Sequence, residues 1–524
     1  MIVMAQRAAQ EPGGVALAPT AVLLTDGGDA RIVLDPAHGL NKYGCSPIPD
    51  PGLAAFGSST ASTISASALA AADRLRDRLA ETAGRESASL TYARELDRVR
   101  AELADLCGVA DLPDLAIVFA ASGTDLHLLA AQLAAGGARA PLLAVMMEAT
   151  ETGSGVPAAL GARHVSTRTA LGESVADSAS IDRAAAVEIA AIPSRGADGL
   201  PRDADLIDAE VESRVVDAVK SGRRVLLTLV DVSKTGMIAP SPKLALAIRR
   251  RFPDAVDVLV DACQFRLSRA SLRAYLKHGF MVALTGSKFL TGPTFSGALL
   301  VPRTLARRLE TQPLPPALGA YSARADWPQG WVAARPLPDV ANYGLLLRWE
   351  AALDELRAFR TIPDHEVSAF LSDFARAVET RLATDPAFER LPVPALDRLP
   401  LVDAGSWDEI PTIFPFLLRG ASRRLLRREE TARVYSALAQ DQSELGGSRS
   451  TAALRCQVGQ PVPCGHRGGV PVSALRLCAS ARLVVEAASG RAAGAGAVIA
   501  RAMTVLDKAA CLAAAATSGI GVPP

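Results

Sequence analysis

The feature that most constrains the fold is a run of short, almost uninterrupted apolar segments that alternate with helical patterns between residues 115 and 302. Strands that are apolar on both faces belong to sheets covered by helices on both sides, and such sheets are mostly parallel. We therefore predict an α/β fold with a mostly parallel sheet sandwiched by helices. The candidate strands are LAIVFAAS (115–122), PLLAVMME (141–148), VLLTLVDV (225–232), VDVLVDAC (256–263), FMVALTGS (280–287) and GALLVP (297–302).

The segments on either side of this run predict three regions in the chain of 524 residues. They are an N-terminal extended arm at 1–64, a large α/β domain at 65–330, and a linker helix with a small C-terminal α+β domain at 331–524. The arm is rich in Gly, Pro and Ser, and its one strand-like patch is RIVLD (31–35). In the small domain, TIFPFLLR (412–419) and SALRLCAS (473–480) read as strands. Residues 166–210 are polar and irregular, and we interpret them as an insertion.

Composition excludes several classes of function. The chain has 56 basic and 55 acidic residues and a net charge of +1, so no overall field favours nucleic acid or an anionic membrane. The N-terminus does not have the pattern of a signal peptide, and no apolar run reaches the length that crosses a bilayer. Seven scattered cysteines without a CxxC motif predict reduced thiols and no zinc site. We expect a cytoplasmic protein.

Three chemistry-bearing positions follow candidate strands. Asp261 closes VDVLVDAC, and Lys288 follows FMVALTGS. Ser122, Gly123 and Thr124 stand between a strand and a helix, where free backbone N–H groups suit a phosphate. Taken singly, each has a plain structural explanation: a turn-capping acid, a lysine reaching solvent at the sheet edge, and an ordinary helix N-cap.

Together, the three positions match the needs of pyridoxal phosphate (PLP). A helix N-terminus suits the phosphate, an acid suits the protonated pyridine nitrogen, and a lysine can hold the aldehyde as a Schiff base. The ligand crevice of an open α/β sheet lies at the carboxyl ends of its strands, where all three positions are expected. The sequence therefore predicts a PLP site built on Asp261 and Lys288.

The same segments resemble a known family. VDACQ (260–264), TGSK (285–288) and the following FLTGPTFSGALLVP (289–302) are similar to the fold-type I PLP-dependent enzymes, in particular the class V aminotransferase and cysteine desulfurase branch. The resemblance implies a seven-stranded-type sheet, PLP as the cofactor and an amino-acid-like small molecule as the substrate. It also implies a homodimer in which the TGPTFSG loop (291–297) lies near the partner's active site.

The resemblance assigns a role to each site residue, and Lys288 is the catalytic one. DVSKTGMIAPS (231–241) is similar to a family segment whose asparagine touches the phenolic oxygen of the ring, and Ser233 occupies that place. The other cofactor-binding residues that the resemblance implies are Asp261 for the pyridine nitrogen, Gln264 for the phenolic oxygen, Thr285 and Ser287 beside the lysine, with Thr285 reaching the phosphate, and Ser122, Gly123 and Thr124 for the phosphate cradle.

The sequence also departs from the family pattern. The histidine that stacks on the ring in the family is absent from the corresponding segment, EATETGSGVP (148–157), where Glu151 or Thr152 takes its place. Ser287 replaces the family histidine beside the lysine. These departures leave the type of reaction open.

Arginine and cysteine residues in the C-terminal region bear on the substrate and the reaction. Arg476, in SALRLCAS, is the first candidate to bind a substrate carboxylate, and Arg455 is the second. The nucleophilic cysteine of the desulfurases has no direct counterpart, but Cys456 and Cys464 precede Arg476. Aminotransferase chemistry is the favoured prediction. The alternatives are cysteine desulfuration or another elimination, and a degenerate family member that binds a ligand without turnover.

Overall fold

The computed structural model describes residues 17–136, 141–181, 187–310, 313–443, 449–490 and 494–517. The strands within these ranges are β1 (Leu53–Phe56), β2 (Ala116–Ala120), β3 (Leu142–Met147), β4 (Val187–Ile192), β5 (Arg224–Val230), β6 (Val256–Ala262), β7 (Met281–Thr285), β8 (Gly297–Val301), β9 (Phe388–Arg390), β10 (Ile413–Leu418), β11 (Arg455–Arg467) and β12 (Val470–Cys478).

The α-helices of the described residues are α1 (Thr20–Leu23), α2 (Ala66–Thr82), α3 (Ala88–Leu106), α4 (Gly123–Ala135), α5 (Val156–Leu160), α6 (Ala204–Lys220), α7 (Pro242–Arg251), α8 (Arg269–Lys277), α9 (Arg303–Leu309), α10 (Tyr343–Arg360), α11 (Asp364–Thr384), α12 (Arg428–Leu438), α13 (Arg449–Ala453), α14 (Ala481–Ala488) and α15 (Gly494–Thr517). None of these helices is both long and apolar enough to span a lipid bilayer.

Seven strands form the large sheet, in the order β2-β8-β7-β6-β5-β3-β4. Neighbouring strands pair in parallel except at β8, which is antiparallel to both β2 and β7. The predicted α/β fold with a mostly parallel, seven-stranded sheet is therefore confirmed. The predicted strands correspond to β2, β3, β5, β6, β7 and β8, and the seventh strand is β4.

Both faces of the large sheet are buried, which explains why its strands are apolar throughout. In β6, Val258 and Val260 point into one hydrophobic cluster, while Leu259 points into another on the opposite face. The first cluster includes residues of α2, α3 and α10, and the second includes residues of α4 and α5. Alternate side chains thus serve two cores, as expected for a sheet covered on both sides.

A second sheet of five strands has the order β1-β11-β12-β10-β9. Its members come from the C-terminal part of the chain except β1, which lies in the arm and pairs in parallel with β11, Leu53 opposite Arg455. The arm is therefore a component of this sheet. The predicted limits of the three regions, at 64/65 and 330/331, stay predictions.

Two predictions of local structure were wrong. RIVLD is not a strand, because Ala30–Ile32 forms a 3₁₀ turn capped by Asp29, whose carboxylate accepts a hydrogen bond from the Arg31 backbone N–H. Segment 166–210 is not wholly irregular, because it contains β4, the edge strand of the large sheet. Five of the six residues of β4 are half-buried or exposed, so this strand lacks the continuous apolar signal of the central ones.

Candidate active site

The candidate site lies at the carboxyl edge of the large sheet. Asp261 is the next-to-last residue of β6. The neighbouring strand β7 runs parallel to β6 and ends at Thr285, three residues before Lys288. Strand β2 is antiparallel to β8 and so has the same direction as β7, which brings the start of α4 to this edge. The positions that the sequence singled out therefore share one edge of the sheet.

The start of α4 packs closely against the ends of β6 and β7. A Cβ atom added at Gly123 would lie 2.9 Å from Cys263 Sγ and 3.2 Å from the Thr285 methyl carbon, so glycine is required for this approach. Ser122 caps the helix in a capping box with Asp125. Within the described chain, the backbone N–H groups of Gly123 and Thr124 have no hydrogen-bond acceptor. They form an open anion cradle beside Thr285.

Glycine also shapes the loop that carries Lys288. A Cβ atom at Gly286 would lie 2.5 Å from the Cβ atom of Ala352 on α10, and one at Gly292 would lie 2.8 Å from it. The loop is closed by a hydrogen bond from the Gly292 N–H to the Gly286 carbonyl at 2.9 Å. Lys288 stands between the two glycines and is half-buried. Backbone packing against α10 therefore fixes the position from which the amine reaches the site.

Asp261 is paired with His127 of α4, a residue that the sequence analysis did not select. His127 Nε2 lies 3.3 Å from Asp261 Oδ2, and both side chains are buried. His127 Nδ1 lies 2.7 Å from the Gly123 carbonyl, which can only accept, so Nδ1 carries a hydrogen. A neutral ring would then point a lone pair at the carboxylate. The geometry consequently favours the imidazolium form.

The charges around Asp261 keep it ionised. Burial raises the pKa of Asp261, but His127, Lys288 and the Cys263 side chain lower it more, so the pKa is held well below its usual range. Asp261 Oδ1 also accepts a hydrogen bond from the Cys263 backbone N–H at 3.2 Å. Burial lowers the pKa of His127, but the Asp261 carboxylate outweighs burial and the pKa is raised above its ordinary value of 6.5. A fixed negative charge is thus available beside Lys288.

Arg476 is a buried cation without an acidic partner. Its guanidinium donates hydrogen bonds to the Lys234 carbonyl at 3.1 Å and to Thr60 Oγ1 at 3.0 Å. Its Nε has no partner, and no carboxylate among the described residues forms an ion pair with it. Arg455, in contrast, makes two 2.7 Å hydrogen bonds to Asp50. Of the two candidates, only Arg476 has a charge that no carboxylate of the described residues neutralises.

A second lysine accompanies this arginine. Lys234 Nζ donates to the Ala149 carbonyl at 3.1 Å. Burial, together with the positive charges of Arg476 and Lys288, lowers the pKa of Lys234 to about 8. Lys234 thus lies close to two other cations, Arg476 and Lys288, and also to Asp261. The arrangement favours an anionic ligand.

The remaining predicted cofactor contacts are engaged with the chain itself. Gln264 Nε2 donates to the Ser59 carbonyl at 3.0 Å, and Thr285 Oγ1 donates to the Cys263 carbonyl at 2.6 Å. Ser233 Oγ donates to Glu151 Oε2 at 2.6 Å. Ser287 is buried next to Lys288. The structure brings these four residues to the site edge, and their roles toward a cofactor stay predictions.

The segment expected to stack on a ring offers no flat side chain. Glu151 is buried in an ion pair with Arg195 at 2.8 Å and also accepts hydrogen bonds from Ser233 and Thr235. Thr152 Oγ1 donates to the Glu148 carbonyl at 3.2 Å. Glu151 therefore organises the loop that carries Ser233.

The two cysteines considered as nucleophiles are buried and protonated. Burial raises the pKa of Cys456 to about 11 and that of Cys464 to about 11. Their sulfur atoms contact the backbone carbonyls of Leu454 and Val472 respectively. A thiolate is the reactive form of cysteine, and neither environment favours one.

Sequence reasoning missed three polar residues at this edge: His127, Lys234 and Arg31. His127 is a lone imidazole in a helix that is otherwise buried and mostly apolar, and this contrast was the available signal. Lys234 lies in a segment that was selected for Ser233. Arg31 was hidden in a segment interpreted as a strand, yet its guanidinium reaches the start of α4.

Comparison with known proteins supports the fold. No protein-family model and no curated protein matches the chain. Among solved structures, the cysteine desulfurase CsdA from Escherichia coli has 15% sequence identity and a TM-score of 0.51, covering 91% of this chain and 98% of its own. A mutant of C-DES with glycine covalently linked to the PLP cofactor has 16% identity and a TM-score of 0.52, covering 87% and 99% respectively. A complex of the cystine C-S lyase C-DES with its product cysteine persulfide has 15% identity and a TM-score of 0.50, with coverage of 85% and 96%.

These alignments extend over nearly the whole length of the known proteins, and the seven-stranded sheet, its single antiparallel strand and the smaller C-terminal sheet are all in place. The chain has the fold of the fold-type I PLP-dependent enzymes.

Proposed function

We propose that the chain binds PLP and acts, through Lys288, on the amino group of an amino acid or a related amine. The observation that carries this proposal is the grouping of an ionised Asp261, the Lys288 amine and the open N–H cradle of α4 at one edge of the sheet. Each group matches one end of the cofactor.

The residues present fit the cofactor. The cradle at Gly123 and Thr124 has two unpaired N–H groups for a phosphate, and a side chain at Gly123 would clash with Cys263 at the end of β6. Asp261 is an anion in a buried place, as a pyridinium nitrogen requires. The half-buried Lys288 carries a primary amine. Hydrogen-bond donors for a phosphate, a carboxylate for the ring nitrogen and a primary amine for the aldehyde therefore occur together, and these are the groups that PLP needs.

PLP supplies an aldehyde that condenses with amines and a ring that withdraws electrons from the substrate. The chain supplies the rest. Asp261, fixed by His127, would hold the proton on the pyridine nitrogen. Lys288 Nζ would be the base that accepts the proton from the substrate Cα and returns it. Arg476 grips the substrate carboxylate, and this contact orients the Cα–H bond.

Transamination is the first candidate reaction. Its support is the resemblance to the class V branch and the protonated state of Cys456 and Cys464, which disfavours a cysteine-based desulfuration. Elimination is the second candidate. Its support is the structural similarity to the cystine C-S lyase C-DES.

The proposal is tested with purified protein and PLP. We expect a yellow protein whose colour is removed by borohydride, and a Lys288→Ala variant that stays colourless. Amino acids are then supplied with and without a keto-acid acceptor. Keto acid formed only with the acceptor, with a new amino acid in equal amount, identifies transamination, whereas ammonia and keto acid without the acceptor identify elimination. Wild-type protein that ignores PLP would contradict the proposal and favour a degenerate binding protein.

Assembly and location are part of the proposal. We propose a homodimer by resemblance, tested by sedimentation at several protein concentrations. In this chain, the TGPTFSG loop packs against the arm, where Asn41 Nδ2 donates to Thr294 Oγ1 at 3.0 Å. All seven cysteines are free thiols, which supports a reducing compartment such as the cytoplasm.

A further inference from the structure

An arginine of the arm reaches the start of α4. Arg31 Nη1 donates to Thr124 Oγ1 at 3.2 Å, and Arg31 Nη2 donates to Ser122 Oγ at 3.4 Å. These are the two hydroxyls beside the open N–H groups of the cradle. The sequence separation of 91 to 93 residues means that only the folded arm brings the guanidinium there.

The guanidinium is held in place from the other side. Asp29 accepts hydrogen bonds from Arg31 Nε at 3.0 Å and from Nη2 at 2.6 Å. The ring of Phe295, in the TGPTFSG loop, lies 4.8 Å below the guanidinium carbon. Asp29 is only 2% exposed. The orientation of Arg31 is therefore set by the protein before any ligand arrives.

The hydrogen bonds from Arg31 to the cradle are weak. Both are at or beyond the long end of the range for N–H···O bonds, and both acceptors are neutral. A phosphate oxygen near the same hydroxyls would receive shorter, charge-assisted bonds from the guanidinium. Without Arg31, the acids Asp29 and Asp125 would repel an anion here. Arg31 thus compensates for negative charge where a phosphate is expected.

We propose that Arg31 binds the phosphate of PLP, so that the arm supplies a cofactor ligand to the large sheet of the same chain. The inference rests on the proposed function. The competing explanation is that Arg31 only tethers the arm. Arg168 provides a matched control, because it also tethers the arm, through an ion pair with Asp26 at 3.0 Å, and makes no hydrogen bond to Ser122 or Thr124 in the described structure.

The experiment compares the affinities of the full-length protein for PLP and for pyridoxal, which lacks the phosphate. For Arg31→Gln we expect affinity for PLP to fall roughly 10- to 100-fold, the effect of losing a charged hydrogen-bond donor, while affinity for pyridoxal stays within about twofold. Arg31→Lys keeps the positive charge but loses the two parallel N–H donors of the guanidinium. Its affinity for PLP should lie between those of Arg31→Gln and wild type. Arg168→Gln should bind both compounds as wild type does.

An equal loss for PLP and pyridoxal in Arg31→Gln, or no loss for either, overturns the inference. A second measurement separates it from the proposed function: inorganic phosphate should raise the melting temperature of wild type and of Arg168→Gln, but not of Arg31→Gln. If wild type binds neither PLP nor pyridoxal, the proposed function fails, and this phosphate-dependent difference alone then decides whether Arg31 forms an anion site.

Discussion

The pair formed by Asp261 and His127 makes stability depend on pH in a defined window. The folded pKa of Asp261 is lowered, so its stabilising contribution exists above the unfolded value of 3.8 and is lost as the pH falls further. The folded pKa of His127 is raised, so its contribution is complete below the unfolded value of 6.5 and is lost as the pH rises through the folded value. The ion pair is thus fully effective between these limits.

We expect His127→Asn to lower the free energy of unfolding most between pH 3.8 and 6.5, and less above that range. Urea unfolding of cofactor-free protein at a series of pH values measures the difference. Loss of packing contributes a deficit that is independent of pH, so only the pH-dependent part reports on the ion pair. When His127→Asn is added to a protein that already carries Asp261→Asn, the pH-dependent part of the deficit should be absent. A deficit that is the same at pH 5 and pH 9 contradicts the assignment.

Arg476 and Arg455 allow a matched test of carboxylate recognition. We expect Arg476→Gln to raise the KM for an amino-acid substrate roughly 10- to 100-fold, because a charged hydrogen-bond donor to the carboxylate is lost. Arg455→Gln breaks only a partly exposed ion pair with Asp50 and should leave KM within about twofold. For the corresponding amine, which lacks the carboxyl group, the KM of Arg476→Gln should equal that of wild type. Equal effects of the two variants would contradict the role of Arg476.

The first turns of α10 hold the arm in place. Arg348 is fully buried on this helix and donates hydrogen bonds to backbone carbonyls of the arm, including Gly27 at 2.7 Å. Gly344 faces the same segment, and a Cβ atom there would lie 2.6 Å from the Leu23 carbonyl oxygen. The helix thus binds residues that lie only a few positions before Arg31.

We expect Gly344→Ala to push the arm away from α10, at a cost of about 1–3 kcal/mol of stability. Limited digestion with trypsin measures the change, because Arg31 and Lys42 are cleavage sites within the arm. Gly496→Ala, on α15, is the control, since a Cβ atom there meets no heavy atom within 4 Å. Equal rates of arm cleavage in the two variants would show that Gly344 is not required for docking.

The central strands were predictable because both faces of each are buried. Segments such as VDVLVDAC must then be apolar at every position, and the signal is strong. Strand β1 was missed because it has four residues, two of them half-buried, and depends on β11 for its conformation. Strand β11 contains Pro, Gly and several polar residues, so its pairing with β12 is a tertiary effect.

The same difference between local and tertiary signals explains which site residues could be predicted from the sequence. Asp261 and Lys288 were found because each follows its own buried strand, and chain order alone brings parallel strand ends together. Arg31 reaches Ser122 across 91 residues, by way of a turn that propensity does not reveal. Contacts of this kind need the folded arm, and no local pattern predicts them.

Arg266 joins the two sheets and the arm. Arg266 follows β6 by four residues and donates hydrogen bonds to the Ala479 carbonyl after β12 at 2.9 Å and to Ser58 Oγ of the arm at 3.0 Å. It is buried, and its guanidinium carbon lies 5.1 Å from the Phe289 ring centre. Burial lowers the pKa of Arg266 to about 10. A single side chain thus satisfies polar groups from three parts of the molecule.

We expect Arg266→Met to lower the free energy of unfolding by about 3 kcal/mol, because buried carbonyl groups lose their donors. Urea unfolding followed by circular dichroism measures it. Arg273→Met, which removes an exposed pair with Asp111, should cost less than about 1 kcal/mol. If both variants unfold at the same urea concentration as wild type, Arg266 does not couple the sheets.

The pairing of β1 with β11 also determines when, during synthesis of the chain, β1 can join its sheet. Asp50 and Arg455, which bond to each other beside this pairing, are 405 residues apart. At bacterial and eukaryotic elongation rates, a ribosome needs roughly 20 to 80 s to cover that distance. During this interval the arm has no sheet to join. Strand β1 therefore has no pairing partner until β11 has emerged from the exit tunnel, whereas the residues that Arg31 contacts emerge well before it.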